Sequence, residues 1–334
     1  MGHQMPMDGY GYGTIKIGEQ LRAAGWDVID MCTPRGAYDL GDGRSWWLDG
    51  QVVALCMPDW LPRIDAADGL IAFTMFEATK LPAGWVAELN RYAQALIVPC
   101  AWNVEVFREN GVRVPIHVAK WGVDPEDYPG DRDQGSGIRG QGPYTFLWSG
   151  TPDRRKGYDL AYRCFWRAFG HRPDVRLVLH FRKRPSGVRG VRDPNVTIVE
   201  GMFDRPVLRS MLRRADAYVF PSRGEGWGSP PREAASMGLP VIATNHGGLA
   251  EDIEHWALPL RVAGFSAAEY GCEAWDDLGE WAEPDPEHLV ELFRWCFEHQ
   301  DEAAAFGRSA SQWLQANAGW DWTARRVAEV AAKV

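Results

Sequence analysis

The sequence predicts an α/β protein whose parallel strands alternate with helices in a doubly wound order, and three observations lead to that expectation. Short apolar runs at 52–57, 70–76, 95–99, 144–148, 175–180, 196–199 and 217–220 are rich in Val, Ile, Leu and Phe without polar alternation. Strands buried on both faces of a parallel sheet read this way. Stretches of helical periodicity lie between these runs, and the strand and helix pattern repeats after residue 143. The repeat is separated from the first half by residues 126–142, which carry five glycines, a proline and mixed charges without apolar periodicity, the composition of a linker or hinge.

A length of 334 residues allows one large domain or two medium ones. Hydrophobic content of 46% and charged content of 24% belong to an ordinary globular chain rather than a disordered one. The net charge of −9 argues against a surface dominated by nucleic acid or anionic membrane. The six cysteines are scattered with no Cys-x-x-Cys pair, which predicts reduced, mostly buried thiols rather than a disulfide framework or a zinc site. No His cluster has metal-ligand spacing. No leader and no apolar run near the roughly 20 residues of a membrane span is seen, so a cytoplasmic location is expected. The 17 tryptophans are read chiefly as packing residues.

Along the first half, Gly9, Gly11 and Gly13 predict a glycine-rich loop, followed by a helix from Ile15 to Gly25 and a strand at 26–30. The preceding residues 1–8 make a poor strand, so a first strand is expected to be short or displaced. Glu77 stands just past the run at 70–76, at the carboxyl edge where open α/β sheets place ligands; the plainer reading is a helix cap. A helix at 102–111 and an inter-domain segment at 116–125 follow.

In the second half, the strand at 144–148 leads into a turn from Ser149 through Gly150 and Thr151 to Gly157, where Arg154, Arg155 and Lys156 gather. Arginine there is fit to grip a diphosphate as a fork and lysine as a point charge. A helix follows from Tyr158 to Phe169, and another from Val207 to Ala215. Between the runs at 175–180 and 196–199 lies a loop dense in positive charge, with Arg182, Lys183 and Arg184 at its start. A solvated loop is the default reading; the alternative is a contact with an anionic acceptor. Residues 264–281 read as an insertion rich in Gly, Glu, Asp and Trp, before helical periodicity resumes at Pro286.

The most informative stretch is the loop and helix after the run at 217–220. It reads Phe220-Pro-Ser-Arg-Gly-Glu225-Gly-Trp-Gly-Ser-Pro-Pro-Arg-Glu233 and ends at Gly238. Proline first and glycine last frame a short helix. Its N-terminus, around Gly228, Ser229 and Pro230, predicts a seat for an anion on backbone N–H groups from Gly228 to Arg232. Glu225 in the loop and Glu233 in the expected first helical turn are placed to face one cleft, where carboxylates grip vicinal hydroxyls. The simpler reading of Glu233 is an acid complementing the helix dipole. Two acids and an anion seat imply a glycosyl nucleotide.

These residues, with Gly238-Leu-Pro-Val-Ile and Gly247-Gly248-Leu-Ala-Glu251, resemble the retaining glycosyltransferases of family 4. The resemblance spans most of the chain and is strongest from Tyr144 to Asp252. It implies the GT-B fold, two Rossmann-like doubly wound domains facing each other across a cleft. The domains then run 1–125 on the acceptor side, 126–142 as linker and 143–310 for the nucleotide sugar, with a terminal helix in 311–334 packing back on the first. It implies that Glu225 lies near the donor sugar and that Glu233 binds the ribose hydroxyls. Lys156-Gly157 matches the family's Lys-Gly. Where many members have an additional Arg this chain has Gly150 and Thr151, and that role passes to Arg155. The glycine loop with Gly11 and Gly13 would approach the donor phosphates or the acceptor, and the base would lie against backbone near Gly201 and Met202. The segment Phe76-Glu77-Ala-Thr-Lys80-Leu-Pro82 resembles one that carries a His or Glu facing the transferred sugar.

The resemblance therefore implies a metal-independent hexosyl- or pentosyltransferase with no bound cofactor and a UDP- or GDP-sugar as co-substrate. Glu225, Lys156 and Glu77 are its expected catalytic residues. The acceptor stays open among glycan, lipid-linked sugar, small molecule and DNA. Two rivals remain: a phage-type enzyme modifying a hydroxylated base within DNA, with Arg182, Lys183 and Arg184 as contacts, and a non-catalytic nucleotide-sugar binder on the same scaffold.

Overall fold

The computed structural model describes residues 9–28, 46–130, 142–183, 193–270 and 277–334, and these fall into two compact units. The described part of the first unit comprises 9–28, 46–122, 277–279 and 320–334. It opens with helix α1 (Gly9–Ala23), then β1 (Trp46–Leu48), β2 (Val52–Leu55), a 3-10 turn (Pro58–Arg63), β3 (Ile64–Ala66) and β4 (Leu70–Phe73). Helix α2 (Trp85–Tyr92), β5 (Ala95–Val98), α3 (Ala101–Glu109) and β6 (Ile116–Val118) complete it up to Gly122. Strands β2, β4, β5 and β6 pair in that order, all parallel, while β1 and β3 form a separate parallel pair. Every residue of β4 and β5 is buried, which is why their sequences are unbroken apolar runs.

The expected glycine loop is a correction. Gly9, Gly11 and Gly13 are not a loop before a helix but its first turns, because α1 already begins at Gly9. The absent side chain of Gly13 serves packing: a Cβ there would sit 3.0 Å from the Trp121 ring. The helix Trp320–Ala331 packs on α1, with Trp320 edge-on to Tyr12 at 5.8 Å and 5.9 Å from Trp121. Residues 26–28 form no strand, and the remainder of that expected strand, like 1–8, lies outside the described residues.

The second unit holds 123–130, 142–183, 193–270 and 280–319 among the described residues. Its elements are β7 (Tyr144–Gly150), α4 (Tyr158–Phe169), β8 (Val175–Phe181), β9 (Val196–Glu200), α5 (Arg205–Arg214), β10 (Ala217–Phe220), α6 (Ser229–Ser236) and β11 (Val241–Thr244). There follow α7 (Ile253–Trp256), β12 (Leu258–Leu260), β13 (Val262–Ala267), β14 (Glu280–Pro284), α8 (Pro286–Glu298) and α9 (Gln300–Asn317), with α10 (Trp320–Ala331) returning to the first unit. Six parallel strands run in the order β12-β11-β10-β7-β8-β9. The order grows outward from β7 to β9 and then restarts on the other side with β10, the doubly wound pattern with its reversal between β7 and β10.

An aromatic core closes one face of this sheet. Phe146 on β7 meets Phe293 of α8 edge-on at 4.8 Å and stacks on Phe169 of α4 at 5.9 Å. Trp148, Trp256 and Trp281 are among the largest fully buried side chains, whereas Trp26 and Trp166 are exposed. Asp204 caps α5 by accepting from the Val207 N–H at 3.2 Å, so that helix starts at Arg205 rather than Val207. The expected insertion at 264–281 contains part of an antiparallel hairpin, β13 with β14. Among the described residues Cys100, Cys164 and Cys296 are buried free thiols and Cys56 is a partly buried one, and no helix is long and apolar enough to cross a membrane.

Candidate functional site

The reversal between β7 and β10 leaves a crevice at the carboxyl ends of the second sheet, the place where open α/β sheets bind ligands. Two loops meet there. The loop after β7 carries Arg154, Arg155 and Lys156; the loop after β10 carries Ser222, Arg223 and Glu225. Their backbones interlock, with Arg223 N–H donating to the Arg155 carbonyl at 2.7 Å and the Ser222 hydroxyl reaching the same carbonyl at 3.1 Å. Gly157 makes this contact possible. Its φ is +70° and a Cβ would lie 2.1 Å from the Pro221 carbonyl oxygen, so a side chain is excluded both by conformation and by space.

Glu225 sits at the centre with 6% of its surface exposed. Lys156 Nζ donates to its Oε1 at 2.6 Å, the Ser222 hydroxyl donates to the same oxygen at 2.8 Å, and Arg155 Nη1 stands 3.5 Å away. Burial pushes the carboxyl up, but the charges of Lys156 and Arg155 and the hydrogen bonds from Lys156 and Ser222 outweigh it and hold Glu225 below the usual range. Arg155 also donates to the Gly224 carbonyl at 2.7 Å and lies over the Tyr270 ring. Two cations against one carboxylate leave this cluster one positive charge in excess, suited to an anion.

Helix α6 begins directly after this loop, capped by Gly228 at φ +88°. The anion seat needs one correction: Pro230 and Pro231 have no N–H, so of the predicted donors only Gly228, Ser229 and Arg232 carry one. Glu233 is likewise not in the first turn but in the second. It lies 3.6 Å from Arg205 Nη1 and is hydrogen-bonded by the Tyr128 hydroxyl. Burial pushes its carboxyl above the usual range, and the opposing pull of Arg205 and Tyr128 does not fully offset this.

Three side chains that sequence reasoning passed over, those of Arg232, Arg223 and His180, shape the site. Arg232 is buried between the Trp227 ring at 3.8 Å and the Trp256 ring at 4.4 Å, and its guanidinium ties the Trp227 carbonyl to those of Gly248 and Glu251. Arg223, 5% exposed, donates to Glu283 of β14 at 2.8 Å and to the Arg154 carbonyl, so the hairpin braces both loops. Arg154, which a solvated reading would leave loose, pairs with Glu269 at 2.8 Å and Glu283 at 3.3 Å. His180 bridges the Ser149 hydroxyl at 2.8 Å and the Gly201 carbonyl at 2.9 Å and stacks on Phe203. Burial holds its imidazole below the ordinary value, so the neutral ring accepts from Ser149 and donates to Gly201. A buried Arg beside two aromatics, and a His between strand ends, were the available signals.

Of the remaining predicted residues, Gly150 is the last residue of β7 rather than part of a turn, and Thr151 follows it at the strand's carboxyl end. Met202 is exposed just beyond β9, next to the carbonyl that His180 holds. Arg182 follows β8, its N–H bonded to the Gly150 carbonyl at 3.1 Å; Lys183 is exposed, and Arg184 lies outside the described residues. Gly11, Gly13 and Glu77 belong to the first unit, Glu77 half-buried after β4. The structure thus brings Glu225, Lys156 and Arg155 into one cluster at the mouth of α6.

Among the described residues no three His, Cys, Asp or Glu side chains converge as metal ligands. The chain does contain one Asp-x-Asp, Asp131-Arg132-Asp133, in the glycine-rich stretch outside the described residues.

Residues 143–275 match the model of the family described as Glycosyl transferases group 1. A D-inositol 3-phosphate glycosyltransferase of Pseudarthrobacter chlorophenolicus is 29% identical over 273 residues, covering 78% of this chain and 54% of that protein. The glycogen synthase of Mycobacterium tuberculosis is 40% identical over 137 residues, covering 38% of this chain and 33% of that protein. The chain spans about half the length of the first of these relatives. Among solved structures, sucrose-phosphate synthase from Thermosynechococcus elongatus superposes with a TM-score of 0.68 at 17% identity, over 97% of this chain and 92% of that one. Anabaena HepE in complex with UDP and glucose superposes with a TM-score of 0.66 at 16% identity, over 85% of this chain and 78% of that one. The fold is accordingly that of the GT-B glycosyltransferases.

Proposed function

We propose that this chain is a glycosyltransferase that takes a sugar from a nucleoside-diphosphate sugar, UDP- or GDP-linked, and passes it to an acceptor hydroxyl. The observation that carries the reading is the Lys156–Glu225 contact of 2.6 Å at the strand-order reversal, one short loop before the N-terminus of α6. A nucleotide-binding sheet order, an excess of positive charge and a helix N-terminus converge at one strand edge, and a diphosphate suits all three. The match of residues 143–275 to group 1 glycosyl transferases supports it.

In this reading Lys156, Arg155 and the N–H groups of Gly228 and Ser229 stabilise the charge that develops on the diphosphate as the anomeric bond breaks, by preorganised electrostatics. Glu225, kept ionised by Lys156 and Arg155, orients the sugar. Glu233 takes the ribose hydroxyls, and the base lies near Met202. Glu77 of the first unit is proposed to act on the transferred sugar and the acceptor. We further propose retention without a metal. The anomeric carbon to phosphate bond breaks and the bond to the acceptor oxygen forms on the same face, while the acceptor proton passes to the departing diphosphate.

A panel of UDP-, GDP-, ADP- and TDP-sugars tests this by thermal shift and by donor consumption, because a ligand that binds only the folded state raises the unfolding midpoint with its saturation. One base series is expected to stabilise the protein and to be turned over. Acceptors bearing phosphate belong in the panel, since the relatives' name specifies D-inositol 3-phosphate. If no donor stabilises the protein and none is consumed, the proposal fails. A β-product from an α-donor refutes retention, and activity lost to a chelator and restored by Mg²⁺ refutes metal independence.

A further inference from the structure

The surroundings of Glu233 form a closed set of contacts that a helix-dipole acid would not need. Tyr128 is 1% exposed and lies near the start of the 126–142 segment; its hydroxyl is hydrogen-bonded to Glu233. Arg205, the first residue of α5, donates from Nη1 to the Tyr128 oxygen at 3.0 Å and stands 3.6 Å from Glu233 and 3.7 Å from Asp127. The segment bearing Tyr128 is itself fixed. Ser236 of α6 donates to the Tyr128 carbonyl at 3.0 Å, and Arg209 of α5 donates to the carbonyls of Glu126 and Asp127 at 3.2 and 3.3 Å. Two helices thus hold one phenol against one carboxylate.

We infer that Tyr128 and Arg205 are positioning residues that hold the Glu233 carboxyl aimed at the ribose hydroxyls of the nucleotide. The inference rests on the reading above that Glu233 takes the ribose. A carboxylate offers about four acceptor sites, so a single bond from Tyr128 fixes its plane and leaves oxygen lone pairs for a vicinal diol. The charges around it oppose one another. Burial and Asp127 favour the neutral acid, whereas Arg205, the Tyr128 hydrogen bond and Arg182 beyond β8 favour the carboxylate; Tyr218 on β10 also feels the Glu233 charge. Removing the Tyr128 hydroxyl therefore moves Glu233 toward protonation, and a protonated Glu233 is a poorer acceptor for two hydroxyls.

Calorimetry with UDP, GDP and their 2′,3′-dideoxy forms tests this on the whole chain, comparing the unmodified protein with Tyr128→Phe and Arg205→Gln. The unmodified protein is expected to prefer the ribonucleotide about tenfold. Tyr128→Phe keeps the buried ring and is expected to cut that preference to about twofold, leave the dideoxy affinity in place, and move the acidic limb of ribonucleotide affinity to higher pH. Arg205→Gln, at a partly exposed site, is expected to act in the same direction and carries the test if the phenylalanine variant does not fold. A full ribose preference with an unmoved pH limb in a folded variant overturns the inference. No ribose preference in the unmodified protein instead overturns the assignment of Glu233 to the ribose, and failure of both UDP and GDP to bind overturns the donor reading itself.

Discussion

Replacing Lys156 with methionine keeps most of the side-chain volume and removes the charge that stands 2.6 Å from Glu225. At an effective dielectric constant of about 20 the gross attraction at that distance is roughly 6 kcal/mol, most of it offset by the desolvation of both ions. Stripping one partner from a buried pair costs about 3–5 kcal/mol. Arg155 at 3.5 Å and Ser222 at 2.8 Å remain, which places the expected loss near the lower end, about 3 kcal/mol at pH 8. For a unit of this size that is an unfolding midpoint lower by roughly 6–12 °C. The pH dependence is the sharper test. Glu225 lies below its usual range in the folded protein, so the stability it contributes is present above the unfolded-state value and is lost as pH falls through the folded one. Without Lys156 the carboxyl loses its strongest opposing charge and rises from that low position, so a fall in pH costs the variant less at this site than it costs the unmodified protein. Differential scanning calorimetry of both proteins from pH 8 to pH 4.5 should show the gap between midpoints narrowing as pH falls. An equal gap at both ends would refute an electrostatic role for the pair.

Two further substitutions probe the scaffold of the site. Gly157→Ala forces a side chain into positive φ and onto the Pro221 carbonyl, and should cost at least about 2–3 kcal/mol, read as a fall in melting temperature; a melt within one degree of the unmodified protein would contradict the close approach of the two loops. His180→Asn leaves Ser149 and the Gly201 carbonyl short of a partner and should cost about 2–4 kcal/mol at pH 7. Because burial holds the folded-state histidine below its ordinary value, its contribution is full above about pH 6.5 and fades as pH drops below it, so the melting difference should shrink between pH 7 and pH 5.

Much of the fold was legible because β4, β5 and β10 are buried on every residue, and such strands announce themselves as apolar runs. The acids and cations of the site were legible as well, since they cluster at strand ends. What was not legible depends on distant contacts. Gly9, Gly11 and Gly13 suggested a loop by their propensity, but packing of Trp121 against Gly13 rewards a helix without a Cβ. The hairpin β13–β14 was hidden because its pattern is inverted: Gly264 and Ser266 lie on the more buried face of β13, while Phe265 is 55% exposed. Which strands neighbour each other, and hence that Lys156 meets Glu225, follows from the sheet order rather than from either loop alone. The missing N–H groups of Pro230 and Pro231 were in plain view, yet the helix-start pattern that favours proline also removes donors from the anion seat.

The return of α10 to the first unit has a consequence for how the chain is made. Trp320 packs on Tyr12 and Trp121, and its backbone N–H lies so near Gly122 that a Cβ there would come within 2.5 Å. During synthesis the N-terminal unit usually settles first. Here its last packing partners leave the ribosome after the whole six-stranded sheet, so the unit begun first is finished last. A nascent chain halted before residue 320 should expose Trp121 and the α1 face to protease and to chaperones, while its second sheet is already complete.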